Sequence, residues 1–143
     1  MKDAAGTNDA TRHVLSLLAG KWLTAAISAA ASLGLPDALA EGPKTLERLA
    51  RELDCDPAAL ARLLRVLVGE SIVGERPSGE FLLLEAGQLL RREALGRLAR
   101  YVGSPLGWDA WSDLAGSVRT GESAFTKRHG QPLFDYLDRN PAE

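Results

Sequence analysis

The residues able to do chemistry are few in this chain and far apart. Its one cysteine, Cys55, stands between Asp54 and Asp56, a poor setting for a thiolate nucleophile. A single cysteine also forms no internal disulfide and no cysteine-based metal cluster, and it fits a reducing compartment. The two histidines, His13 and His129, lie at opposite ends of the sequence, so a zinc site has little to work with. Asp135 and Asp138 share one helical face, which reads as a solvated face rather than a paired acid and base. No Ser/His/acid set is recognisable by spacing, no Gly-x-Gly-x-x-Gly follows an apolar strand, and no Gly-x-x-x-x-Gly-Lys-Ser/Thr is present. The sequence therefore predicts no catalytic, cofactor-binding or metal-ligating residue in this chain. His129, beside Gly130 in a bend, is the one histidine placed to touch a ligand.

The aromatic residues are more informative. Tyr101, Trp108, Trp111, Phe125, Phe134 and Tyr136 crowd the last third of the chain, whereas the residues before them hold only Trp22 and Phe81. Such a concentration builds either core or the wall of an apolar ligand pocket, and crowding into one segment favours a pocket wall somewhere along it.

The elements that must carry these side chains follow from periodicity and punctuation. Thr45-Leu46-Glu47-Arg48-Leu49-Ala50 opens a short helix with a capping hydroxyl, and Asp56-Pro57 opens a second with a capping carboxylate and Pro at its start. Leu60, Leu63, Leu64, Leu67 and Val68 are the core stripe of that second helix. Ile72-Val73 and Phe81 to Leu84, with Pro77-Ser78-Gly79 turning between them, read as a hairpin. Two helices and a hairpin make a winged helix-turn-helix. Its charges argue against reading DNA. The second helix offers Arg62 and Arg65 but no Asn or Gln for base edges, and a wing written Glu75-Arg76-Pro77-Ser78-Gly79-Glu80 repels phosphate. The module reads as a structural block.

Around this block the sequence predicts a mainly α chain, with a long N-terminal helix before the wing and further helices after it. Residues 1–10 mix Gly, Asn, Asp and Ala without periodicity and read as a flexible arm; residues 11–143 read as one winged-helix domain. The long helix runs from about Thr11 to Leu33 and ends at Gly34 and Pro36. Leu15, Leu18, Trp22, Ala25, Ala29 and Ser32 line one face, while Val14, Leu17, Leu23, Ala26, Ile27 and Ala30 cover much of the rest. A helix apolar nearly all round is buried on more than one side, and here the second side points to another subunit or to a missing domain. Ala25, Ala26 and Ala29 to Ala31 would let a second helix approach closely. Beyond the wing, Leu95 to Val102 predicts one helix, Trp108 to Val118 another ended by Gly121, and Phe125 to Leu137 the last apolar positions. At 143 residues, 45% apolar and 25% charged, the composition is that of a soluble globular domain. A net charge of −2 and a pI near 5.7 supply no basic field for nucleic acid. Lys21 and the serines and threonine among Val14 to Leu33 argue against a membrane span, and Lys2 beside Asp3 against a secretion leader, so a cytoplasmic location is expected.

Motifs along the chain then resemble one family. Trp111-Ser112-Asp113-Leu114, Ser117 to Phe125, and His129-Gly130 with Leu133-Phe134-Asp135-Tyr136-Leu137 and Asn140-Pro141 resemble bacterial small-molecule O-methyltransferases in order and spacing. The plant caffeic-acid type shares the plan. Leu33 to Leu39, Thr45 to Ala50 and Leu60 to Arg65 resemble that family's winged-helix dimerisation domain. The resemblance covers nearly all of Thr11 to Pro141. It implies a homodimer, an aromatic natural-product acceptor, and S-adenosylmethionine bound by a Rossmann-like domain that follows. It also implies that Tyr101, Trp108, Trp111 and Phe134 wall the far end of the acceptor pocket, where His129 is added as a ligand contact. The acid–base residue and the cofactor motif would belong to the following domain, which this sequence does not include. The chain is then a fragment or a free-standing relative without catalysis of its own. Two rival functions remain on the residues alone: a winged-helix transcription regulator, and a stand-alone ligand-binding or non-methylating relative.

Overall fold

The computed structural model describes residues 3–140, with side chains from Asn8 onward; Met1 and Lys2 of the expected arm and Pro141 to Glu143 lie outside the described residues. Helix α1 (Asp3–Leu33) begins far ahead of Thr11, so most of the stretch read as an arm continues the helix. Ala4, Ala5 and Ala10 are strong helix formers and no proline interrupts them, which outweighs the missing periodicity. Asn8–Leu33 has the length and composition of a membrane span, but its last third docks on the rest of the chain: Ser28, Ala30 and Ala31 are buried. Gly34 ends α1 in the left-handed conformation, at φ 75°, where glycine carries no Cβ penalty.

A short α2 (Leu35–Ala40) leads to the winged helix-turn-helix, and the signals read from sequence are the ones in use. Thr45 accepts from Arg48 N–H to open α3 (Leu46–Glu52), and Asp56 accepts from Ala59 N–H to open α4 (Pro57–Gly69). The α4 stripe forms the centre of the core, with Leu64 and Leu67 fully buried against Leu35, Leu49 and Val73. The wing is β2 (Val73–Glu75) and β3 (Glu80–Leu83), antiparallel, with Val73 opposite Leu83 and Glu75 opposite Phe81. A third strand, β1 (Lys44–Thr45), pairs with the other edge of β3 to give the order β1-β3-β2. Two residues are too few to show a period, so this strand leaves no mark in the apolar pattern.

Strand β1 also places Lys44, whose side chain is only 2% exposed, between two glutamates. Its ammonium donates to Glu41 at 2.8 Å and to Glu52, and Arg48 donates to Glu52 at 2.8 Å, so α2, β1 and α3 share one ionic cluster. The hydrogen bonds with Glu41 and then Glu52 hold the Lys44 pKa above its ordinary 10.5. Those from Lys44 and then Arg48 hold Glu52 below its ordinary 4.5. The Glu52 contribution to stability is thus present above about pH 4.5 and lost as pH falls through the lower folded value. The Lys44 contribution is complete below about pH 10.5 and lost as pH rises through the higher folded value. Lys44→Met should lower stability by about 1–3 kcal/mol, because charge-assisted hydrogen bonds vanish while the glutamates keep water. Urea unfolding at neutral pH checks it, and an unchanged midpoint would show the cluster to be neutral.

Beyond the wing lie α5 (Glu85–Gln88), α6 (Gly96–Val102), α7 (Pro105–Ser112), α8 (Leu114–Thr120), α9 (Ala124–His129) and α10 (Leu133–Arg139). The single helix expected over Trp108 to Val118 is two. Asp113 leaves helical geometry at φ −111° and ψ 29°, and its carboxylate folds back over Gly116, where a Cβ would come within 2.4 Å of Oδ1. A short polar side chain competing for nearby backbone is what breaks the apolar period. Helix α6 runs along the second half of α1, where Ser28 Oγ donates to the Arg100 carbonyl and Gly103 lies directly over Ser28.

Candidate functional site

The aromatic segment is held against α1 by two local devices. Ser104 caps α7, accepting from Gly107 N–H at 3.1 Å while its hydroxyl donates to the Tyr101 carbonyl at 2.7 Å. Gly107 lets α7 fold tightly back on α6, since a Cβ there would meet the Tyr101 carbonyl oxygen at 2.4 Å. This elbow sets α7 beside α1 and leaves a groove of about 500 Å³ between them, lined by Lys21, Trp22, Ala25, Trp108, Asp109, Trp111 and Ser112. Trp22 and Trp111 are 72% and 69% exposed, so the groove has aromatic lips rather than a closed roof. Lys21 Nζ sits 5.1 Å from the centre of the Trp108 ring, a cation–π distance. Asp109 is turned to Arg128 of α9 at 3.4 Å.

The five residues singled out from sequence do not share either of the two openings beside α7. Trp108 and Trp111 meet in the groove. Tyr101 lines a neighbouring cleft of about 390 Å³ with Ser28, Ser32, Arg100, Gly103, Ser104 and Pro105, on the other side of the elbow. His129 stacks on Phe125 with ring centres 4.3 Å apart and meets Tyr136 edge-on at 5.2 Å; its Nε2 is buried without a hydrogen-bond partner. It belongs to a small packed trio joining α9 to α10, not to the groove. Phe134 stands on α10, 78% exposed, and lines neither opening. Lys21, Trp22 and Asp109 were missed. Trp22 was read with Leu15 and Leu18 on one face of α1, a face the structure turns outward, and nothing in a local pattern pairs α1 with α7.

The rest of the outward stripe is uncovered. Leu15 and Leu18 are 60% and 64% exposed, and Val14 and Leu17 are also exposed, while Leu23 and Ile27 turn inward. The uncovered apolar part of α1 is therefore Val14, Leu15, Leu17 and Leu18, ahead of the alanines expected to admit a second helix. Ala30 and Ala31 are 1% and 3% exposed and belong to the chain's own core, not to a second subunit. Across the winged helix, Arg62 and Arg65 are exposed but Arg76 is paired with Glu80 at 3.7 Å. Among the described residues no group of three His, Cys, Asp or Glu could hold a metal ion. The last strand among them ends at Leu83, and no Gly-x-Gly turn leads from a strand into a helix, so these residues do not fit a nucleotide-type cofactor.

The model of the O-methyltransferase dimerisation domain family matches residues 15–99. The chain belongs to this family. The dimerisation domain is 41% identical over 142 residues to 3-amino-4-hydroxybenzoate 4-O-methyltransferase of Streptomyces cremeus, covering 96% of this chain and 38% of that protein. It is also 41% identical over 114 residues to 8-amino-8-demethylriboflavin N,N-dimethyltransferase of Streptomyces davaonensis, covering 78% of this chain and 33% of that one. The solved mitomycin 7-O-methyltransferase superposes with a TM-score of 0.86 at 31% identity, over 97% of this chain and 42% of that one. The chain thus spans about two-fifths of the length of such relatives. Leu15, Leu17 and Leu18 of the uncovered stripe lie within the family's matched region.

Proposed function

We propose that this chain is the dimerisation and acceptor-wall domain of an S-adenosylmethionine-dependent O-methyltransferase acting on an aromatic natural product in the cytoplasm. The observation that carries this reading is the α1 stripe, apolar and uncovered, inside the family's dimerisation region. A second copy would bury it, and the family's dimerisation role supports that occupant. The aromatic groove beside it is the chain's contribution to the acceptor site, with Trp108 and Trp111 as walls and Tyr101 in the adjoining cleft. The acceptors named for the relatives above, an aminohydroxybenzoate and a riboflavin derivative, are aromatic. Fixing and screening such a ring from water is the part of methyl transfer that these residues can perform. In this reading the cofactor and the base that takes the acceptor proton belong to a part of the parent protein outside residues 3–140. The wing's acidic character sets aside a DNA-binding role.

Light scattering of the 143-residue chain at tens of micromolar should give twice its 15.3 kDa mass. Calorimetric titration with S-adenosylmethionine should give no binding heat. A monomer at every concentration would remove the dimer reading, and micromolar cofactor binding would remove the division of labour.

A further inference from the structure

The groove between α1 and α7 holds a positive charge that nothing in it neutralises. Lys21 is exposed and enters no ion pair within 4 Å among the described residues, although an acidic residue, Asp109, lines the same groove. Asp109 is taken by Arg128, and Ser112, the other polar lining residue, donates its hydroxyl proton to the Asp109 carbonyl at 2.7 Å. The Trp108 ring keeps the Lys21 ammonium over its face, yet a ring face accepts no conventional hydrogen bond, so the three N–H donors remain available. Around that charge the groove is aromatic and alkyl: Trp22, Trp108, Trp111 and Ala25. Its volume, about 500 Å³, lies within the range of roughly 300–1,000 Å³ usual for small-molecule sites.

We propose that this groove selects planar aromatic ligands bearing an acidic group, with Lys21 as the counter-charge and Trp22, Trp108 and Trp111 as the flat walls. This deepens the acceptor-wall reading and rests on it. The chemistry asks for a ring to lie along the indoles and a carboxylate or ionised phenol at the ring's edge to meet the ammonium. A neutral ring of the same shape keeps the stacking and loses the charge-assisted hydrogen bond.

The chain has three tryptophans, and all three line this groove, so quenching of intrinsic tryptophan fluorescence at a fixed chain concentration follows its occupation. The 143-residue chain is titrated at neutral pH with 4-hydroxybenzoate and, separately, with 4-hydroxybenzamide, which differs only in lacking the charge. The acid should bind about tenfold more tightly than the amide, and the difference should shrink in high salt. Lys21→Met should abolish the preference while leaving amide binding in place, and Lys21→Arg should retain it. Lys21 is solvent-exposed, so both variants should keep the circular dichroism of the parent. Equal affinities in the parent chain, or an undiminished preference in Lys21→Met, would overturn the acid selectivity and leave the acceptor wall standing. Absence of binding by both compounds up to about 10 mM, where even affinities of a few kcal/mol register, would overturn both.

Discussion

Replacing Leu15 and Leu18 together by aspartate should turn the dimer into a monomer while leaving the fold intact. These side chains stand one turn apart on the uncovered stripe of α1, at 60% and 64% exposure, and neither belongs to the chain's own core. Covering a leucine of this kind contributes about 1.5–3 kcal/mol, so losing two and adding two charges that resist desolvation should weaken association at least about 100-fold. Light scattering across a dilution series measures this, and circular dichroism confirms that the helices persist. An unaltered dimer would move the interface to the other exposed apolar positions, such as Leu98 on α6 or Val118 on α8. Ala30→Glu is a different experiment. With Ala30 at 1% exposure among Leu35, Leu64 and their neighbours, it should unfold the domain rather than divide it.

Gly103→Ala should destabilise the domain and open the groove together. A Cβ at Gly103 would stand 2.1 Å from Ser28 Oγ and 2.2 Å from Ser28 Cβ. Rotating the serine hydroxyl cannot relieve the second contact, so α6 must part from α1. Overpacking of this kind costs about 1–3 kcal/mol, which for a domain of this size lowers the melting temperature by about 3–10 °C. Because α6 leads through the elbow into α7, the displacement should also carry Trp108 away from Lys21 and change tryptophan fluorescence. Ser28→Gly removes both obstructing atoms, at about 1 kcal/mol for glycine inside a helix. Combined with Gly103→Ala it should lose much less stability than the two single changes added. Simple additivity would show that the α1–α6 contact tolerates the extra carbon.

The winged helix was legible because every device in it is local. Thr45 and Asp56 announce helix starts three residues ahead of the groups they cap, and Leu60, Leu64 and Leu67 declare their buried face by spacing alone. The aromatic segment was half legible. Its helices were found, but the turn at Asp113 depends on a side chain folding over Gly116, which no apolar period records. Tyr101, Trp108, Trp111, His129 and Phe134, grouped from sequence, are spread over separate openings and surfaces for a related reason. Clustering in sequence carries no information about which side of an elbow a ring falls on, and the elbow at Ser104 to Gly107 sends Tyr101 one way and the tryptophans another. Lys21 was read as an obstacle to membrane insertion, because its meeting with Trp108 is made only when distant segments pack.

The first half of α1 makes the order of this protein a matter of mass action. From Asn8 to Leu18 every residue is exposed, so the core built by the described residues does not extend over that stretch. A helical run shorter than about 12–15 residues is marginal in water by itself. Its helicity then depends on what docks against it, and the fraction of helix becomes a function of concentration. Dilution should loosen these turns first, while the core around Leu64 and Leu67 keeps its stability. Assembly and the folding of the N-terminal helix would then be a single equilibrium.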